Sequence, residues 1–264
     1  MAVWAQRIDK HIEKHTTMAK VTYLDNCGFA VKTDNILLVF DYYRDPAHAL
    51  THLLKNNPEL PVVFFVSNSH PDHFNKEIFK LGQNHKHMYV LANDVLSFAG
   101  NTEVQAVGLS AGDRIEDVMG ALTIEAFSAT DAGISFLITT ADGETIFYGG
   151  DLSPRYYDVK DAREAQLMAS QFTIATRRIA AAVPEVNLAF MEVDPRLGDD
   201  FAAGAAEFVS TVRVDNFIPM HTQGHSAATD FRNYPVPADC ATRFHAFAEV
   251  GQTLSIKLPA ANPA

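Results

Sequence analysis

The sequence predicts an α/β domain made of two similar halves, each a β-sheet with helices outside it. Three observations carry this. Short apolar runs alternate with helix-like stretches along most of the chain. The run "PVVFFVS" is apolar at nearly every position, as a strand covered on both faces must be. A longer pattern also recurs: "GFAVKTDNILLVFD" and "GISFLITTADGETIFYGGD" each run glycine, apolar strand, polar turn, apolar strand, aspartate, and end at Asp41 and Asp151. No Gly/Ser- or Pro-rich linker separates the halves, so they belong to one domain.

Residues 1–17 read as an extension, either helical or an artefact of the chosen start codon, and the domain runs from 18 to 264. "KVTYLDNCGFAVKTDNILLVFDYY" is a set of strands punctuated by Asn26, Gly28 and the turn at Thr33–Asn35. "DPAHALTHLLKNNP" is helical, with Pro46 near its start and Pro58 beyond its end. After the strand "PVVFFVS" come a helix "FNKEIFKLG" closed by Gly82, a strand in "HKHMYVLAND" and a short helix in "NDVLSFAGN". In the second half, "GALTIEAFSAT", "GISFLITTADGETIFYGGD" and "VNLAFMEVD" are strands. "DAREAQLMASQFTIATRRIAAAVPE" is the longest helix, and "DDFAAGAAEFVSTVRVD" is another. "NFIPMHTQG" is strand and loop, "PADCATRFHAFAEVG" a closing helix and "QTLSIKL" a last strand.

Composition narrows the function. A 264-residue chain with 47% hydrophobic residues can bury a sizeable core. Its formal charge of -11 argues against long nucleic acid as a partner and leaves a small-molecule substrate as the expectation. Two cysteines, Cys27 and Cys240, form no disulfide framework, and the cytoplasm is the expected compartment. No apolar run approaches the roughly 18 residues of a membrane span. Oligomeric state is not legible.

The chemistry gathers in "VSNSHPDHFNKEIFKLG", where His70, Asp72 and His73 form H-x-D-H at the carboxyl end of an apolar strand. Ligand sites collect at such ends, and imidazoles with a carboxylate are the usual donors for a divalent first-row metal. Asp72 taken alone reads better as a helix N-cap, and the two flanking histidines shift the balance to a metal. Asp151 follows "ETIFYGG", where two glycines would let the backbone approach an ion. His221 lies in "FIPMHTQG" and Asp131 in "SATDAGIS". Each alone reads as a buried histidine or a turn aspartate.

In this order the residues resemble the metallo-β-lactamase-fold hydrolases, whose signature is H-x-H-x-D-H, a distant His, Gly-Asp and a final His. Here it reads Asn68-x-His70-x-Asp72-His73, then Thr130-Asp131, Gly150-Asp151 and His221. The resemblance runs from about Val21 to Leu258 and includes the opening "VTYLDNCGFAV". It implies a four-layer αββα sandwich of two mixed β-sheets with outer helices. It also implies a metal-dependent hydrolase acting on an ester-type bond such as a phosphodiester or lactone.

By the resemblance, Asp72, His73 and His221 form one metal site, which is complete, and Asp151 bridges it to a second. Of that second site only His70 is kept; Asn68 stands where the family has its first histidine, and Asp131 or its neighbour Thr130 where it has the middle one. Two outcomes stay open. One is a single ion on Asp72, His73, Asp151 and His221, with His70 nearby. The other is a pair of ions, the first with oxygen donors from Asn68 and Asp131, which shifts preference from zinc towards manganese, iron or magnesium. Exchanging histidine for aspartate preserves a donor, which leans towards two ions.

Asp72 is also the candidate catalytic base or water-orienting group. Asp41, after "ILLVF", is a candidate to orient a ligand histidine. Arg155 and Tyr156, just beyond Asp151, and His225, after the last ligand, are candidates to bind substrate; Tyr157 reads as surface packing. His48, His52, His85 and His87 match no ligand spacing, and Cys27 reads as a small strand residue. The substituted first site leaves a second class of function open, a metal-binding or ligand-sensing protein without turnover.

Overall fold

The computed structural model describes residues 16–99, 106–155, 159 and 161–259. Residues 1–15 of the expected extension, and Tyr156 and Tyr157, lie outside the described residues. Strand pairing already occupies Thr16 and Thr17, so β1 begins two residues before the expected domain boundary at 18.

Fourteen strands form two sheets of seven each. The first holds β1 (Thr16–Asp25), β2 (Gly28–Lys32), β3 (Leu37–Phe40), β4 (Val62–Val66), β5 (His87–Ala92) and β6 (Ala106–Leu109). The second holds β7 (Arg114–Val118), β8 (Leu122–Ser128), β9 (Ile134–Thr140), β10 (Thr145–Tyr148), β11 (Val186–Glu192), β12 (Val214–Met220) and β13 (Arg243–Phe244). The last strand, β14 (Thr253–Pro259), returns to the first sheet and pairs antiparallel with β1. The orders are β14-β1-β2-β3-β4-β5-β6 and β13-β12-β11-β10-β9-β8-β7.

Both sheets are mixed in the same way. β1, β2 and β3 pair antiparallel, then β3, β4, β5 and β6 pair parallel. β8, β9 and β10 pair antiparallel, then β10, β11, β12 and β13 pair parallel. The recurring sequence pattern is therefore a recurring hairpin, β2–β3 and β9–β10, each leading into parallel strands.

Alternation along the strands assigns the layers. In β10, β11 and β12, Ile146, Tyr148, Leu188, Phe190, Ile218 and Met220 face the first sheet and join its core. Their neighbours Phe147, Ala189, Met191 and Phe217 face the other way, onto α4 (Ala162–Ala182) and α5 (Ala203–Thr211). Aromatic pairs bridge the sheets: Phe29–Phe190 at 4.9 Å, Phe40–Tyr148 at 4.7 Å and Phe65–Phe136 at 5.2 Å between ring centres. Buried residues of α1 (Ala49–Asn56), α2 (Ile78–Leu81) and α3 (Asn93–Ala99), among them Leu50, Ile78 and Val95, pack with the first sheet. The result is two mixed sheets face to face with helices outside, as expected.

Three local expectations differ. The closing helix in "PADCATRFHAFAEVG" is instead loop and the short strand β13. Phe244 stacks on Phe231 at 4.8 Å and the His245 N–H donates to the Phe217 carbonyl, so edge pairing and aromatic packing override helix propensity there. The helix expected in "FNKEIFKLG" shrinks to the four residues of α2. β6 and β7, which the sequence pattern does not announce, extend the two sheet edges.

Candidate metal centre

Parallel strands of both sheets end at one edge of the sandwich, and the ends of β3, β4, β10, β11 and β12 bring polar residues together there. Asp41 follows β3, residues 67–73 follow β4, Asp151 follows β10, Glu192 ends β11 and His221 follows β12. Non-glycine residues in the left-handed region collect here, Asp41 with φ 39° and His221 with φ 61°. Such strain concentrates where a side chain must be aimed at a ligand.

The H-x-D-H segment is a tight turn in which the His73 N–H donates to the His70 carbonyl at 3.0 Å. Asp72 does not cap a helix: its Oδ2 accepts from Asn26 Nδ2 at 3.1 Å, and α2 starts later, at Ile78. His73 is fully buried. Its Nδ1 meets Asp41 Oδ2 at 2.6 Å and its Nε2 lies 2.9 Å from Asp151 Oδ1. Asp41 in turn accepts from the Ser67 N–H at 2.7 Å and the Tyr148 hydroxyl at 2.8 Å. That network fixes which nitrogen of His73 faces the cavity.

Asp151 stands between two groups of donors. Its Oδ1 faces His73, while its Oδ2 lies 3.1 Å from His70 Nδ1 and accepts from Asn68 Nδ2 at 3.0 Å. His221 Nε2 lies 3.1 Å from His73 Nε2, 3.8 Å from Asp72 Oδ2 and 4.0 Å from Asp151 Oδ1. Burial opposes a charged His73 ring, but the Asp151 and Asp41 carboxylates outweigh it and hold its pKa well above the usual range. Burial opposes the Asp151 charge too, yet His73, His70 and His221 pull that carboxyl far below the usual carboxylate range. Burial and the neighbouring His73 lower His221. Burial, reinforced by Asp151 and Asp194, raises Glu192 well above its usual value.

These groups line a cavity of about 280 Å³ together with Asp131, Glu192 and Arg196. Four carboxylates face one guanidinium there, and the buried His221 Nδ1 has no hydrogen-bond partner, its nearest carboxylate oxygen being Glu192 Oε1 at 3.8 Å. The donor set fits divalent cations. Three groupings, each with ligand atoms within 4.8 Å of one another, are Cys27–Asp72–His73–His221, His70–Asp131–Asp151 and Asp151–Glu192–His221.

Of the residues singled out in the sequence, His70, Asp72, His73, Asp131, Asp151 and His221 line this one cavity, with Asp41 directly behind His73. Asn68 is buried beside them, but its Oδ1 accepts the His70 N–H at 2.9 Å and its amide donates to Asp151. Arg155 ion-pairs with Asp200 at 2.6 Å, and exposed His225 precedes the short helix α6 (Ser226–Thr229); neither lines the cavity. Gly150 (φ 54°) brings the chain against Ser67, where a Cβ would lie 2.8 Å from the Ser67 side chain. The close approach of that glycine is thus to protein. Cys27 sits in the β1–β2 turn and its thiol donates to the Asp72 carbonyl at 2.9 Å.

Sequence reasoning passed over Glu192 and Arg196. Glu192 ends "VNLAFME", an acid at the end of an apolar strand in the same relation as Asp151, and that signal was readable. Arg196 is aimed by the buried Asp194, whose oxygens take its Nε at 2.7 Å and NH2 at 2.6 Å. Only the backbone shows that this fork reaches the cavity.

No family model matches the sequence, and no curated protein matches it significantly. Solved structures do. A novel metallo hydrolase from the hyperthermophilic archaeon Ignicoccus hospitalis superposes with TM-score 0.62 at 15% identity, covering 91% of this chain and 99% of that one. YhfI from Bacillus subtilis, a metallo-β-lactamase fold protein, superposes with TM-score 0.55 at 14% identity over 90% of this chain and 99% of that one. The chain has the metallo-β-lactamase fold. CmlA, a diiron β-hydroxylase from Streptomyces venezuelae, superposes with TM-score 0.52 at 11% identity over 78% of this chain and 45% of that one. No helix among the described residues is long and apolar enough to cross a membrane.

Proposed function

We infer that the protein is a metal-dependent hydrolase of small molecules, cutting an ester-type bond such as a phosphodiester or lactone with two divalent ions. One observation carries the reading: the two oxygens of Asp151 face two separate imidazoles, His73 at 2.9 Å and His70 at 3.1 Å. Asp72, His73 and His221 would hold one ion and His70 and Asp131 the other, with Asp151 shared. Bound ions of this kind lower the pKa of water from about 15.7 towards 7 and polarise a carbonyl or phosphoryl oxygen.

The chain's own groups have distinct tasks. Asp41 keeps His73 Nδ1 engaged, so that Nε2 is the atom presented to the cavity. Asn68 holds Asp151 and His70 in place through its two amide ends. Asp72, whose side chain is 42% exposed, orients the attacking water and accepts its proton. Arg196 is the guanidinium in the cavity and stabilises negative charge growing on the substrate oxygen. The oxygen-rich first site, His70 with Asp131 and Asp151, favours manganese or iron over zinc. The diiron centre named for the superposing β-hydroxylase supports iron as an occupant.

A second reading has its own observation. The Asn68 oxygen is already taken by the His70 N–H, so the first site has few donors. A metal-binding or ligand-sensing protein without turnover would share that feature. Both readings meet one experiment. Protein purified without chelators is analysed for metal, then assayed on bis(p-nitrophenyl) phosphate and a simple lactone with zinc, manganese and iron supplied in turn. Two ions per chain and turnover with at least one metal are expected. Stoichiometric binding with no turnover under any metal would replace the hydrolase reading with the sensor.

A further inference from the structure

A second, larger cavity of about 680 Å³ adjoins the metal centre, and Asp72 lines both. It is walled by the turn of β1–β2, the segment after β3, the loop after β12 and residues 247–250. Three partly exposed aromatic rings face it, Tyr23, Tyr43 and Phe247. Tyr23 and Phe247 lie 5.7 Å apart and both rest on buried Phe29, at 5.2 and 5.7 Å. Phe29 therefore supports both rings, each of which stays partly exposed.

The charges are as informative as the rings. Asp25, Asp72 and Glu249 contribute three carboxylates, and Arg44 is the cation among the lining residues. That guanidinium already pairs with Asp25 and lies 4.9 Å over the Tyr43 ring. An anionic substituent would meet a net negative wall whose one cation is engaged. Flat rings with no charge match the walls, because aromatic faces reward stacking without regard to polarity.

A polar chain links this cavity to the reacting end. Gln223 Nε2 donates to Asn26 Oδ1 at 3.3 Å, and Asn26 Nδ2 donates to Asp72 Oδ2 at 3.1 Å. Asn26 and Gln223, both on its wall, have positive φ, at 48° and 50°. Strain of this kind, gathered on the walls of one cavity, marks a ligand clamp.

We propose that this cavity is the subsite for an uncharged aryl or heteroaryl group of the substrate, gripped by Tyr23, Tyr43 and Phe247, with Gln223 and Asn26 linking the subsite to Asp72. The assignment of the ring to a substrate rests on the hydrolase reading; the binding itself does not. Its test is accordingly made on protein stripped of metal by chelator, so that loss of the subsite and loss of the hydrolase activity are separate results.

Saturation-transfer NMR with benzyl alcohol, benzoate and cyclohexanol as probes reads the binding directly. Benzyl alcohol is expected to bind, and benzoate and cyclohexanol each to bind roughly fivefold more weakly or worse. Phe247→Ala and Tyr43→Ala should weaken benzyl alcohol by roughly the same factor, while Arg213→Ala, on a distant surface ion pair, should not. Circular dichroism checks that both variants fold; if Phe247→Ala does not, partly exposed Tyr43 gives the same reading. Failure of benzyl alcohol to bind, binding by both aromatic variants as tight as by the unaltered protein, or tighter binding of benzoate would each overturn the assignment.

Discussion

Asp41 and His73 share a hydrogen bond of 2.6 Å between two fully buried side chains. The same carboxylate accepts from Ser67 and Tyr148, so three elements meet at one group. Replacing it with an amide puts a donor where only acceptors fit. Asp41→Asn should weaken metal binding roughly 10- to 100-fold in equilibrium dialysis. Unchanged affinity would remove Asp41 from the work of aiming His73.

Asn68 and Asp131 can be told apart by counting ions. Asp131 groups with His70 and Asp151 around the first site, whereas the Asn68 oxygen is bonded to the His70 N–H. Asp131→Ala should bind one ion per chain, and Asn68→Ala should still bind two, more weakly. Atomic absorption on dialysed protein decides it; an ion lost from Asn68→Ala would make Asn68 a ligand.

Arg196 and Arg155 should differ in turnover. The first lines the cavity and the second pairs with Asp200 outside it. With bis(p-nitrophenyl) phosphate, Arg196→Ala should lower kcat by about 10²-fold. Arg155→Ala should change it little, and equal losses would return Arg155 to the substrate's path.

Gly133 has φ +67° and a Cβ there would lie 1.9 Å from the Ser67 carbonyl oxygen. Gly112 has φ +94° with open space around it. Gly133→Ala should cost about 2–3 kcal/mol and Gly112→Ala about 1 kcal/mol, since only the first adds a clash to the backbone penalty. Urea denaturation of the two variants measures the difference. Similar losses would mean that the loop carrying Asp131 yields easily.

The metal-free fold should also respond to pH in a definite direction. His73 is held above its ordinary value of 6.5, so its contribution is whole below pH 6.5 and is lost as pH rises through the raised value. Chelator-treated protein should therefore lose more Tm than metal-loaded protein as pH rises above 6.5. The loaded form keeps its Tm because a cation replaces the proton on the same ring. A parallel fall in both forms would contradict this.

Much of the molecule was determined by the one-dimensional order of residues. The apolar run of β4 and the repeated hairpin pattern specify buried strands and two like halves, because burial and period follow from side-chain type alone. H-x-D-H is legible for the same reason: three donors on one turn need little else to converge. Tertiary structure decided what lies across the chain. Glu192 and Arg196 reach the cavity only because β11 runs parallel beside β10. Asn68 faces the site through its amide because Asp151, 83 residues away, offers an oxygen at 3.0 Å. Phe244 and Phe247 left the helix their sequence favours because β12 and the Tyr23–Phe29 pair offered better burial. Local chemistry is written in neighbours along the chain, whereas partners distant in sequence are chosen by the packing that brings them within hydrogen-bond reach.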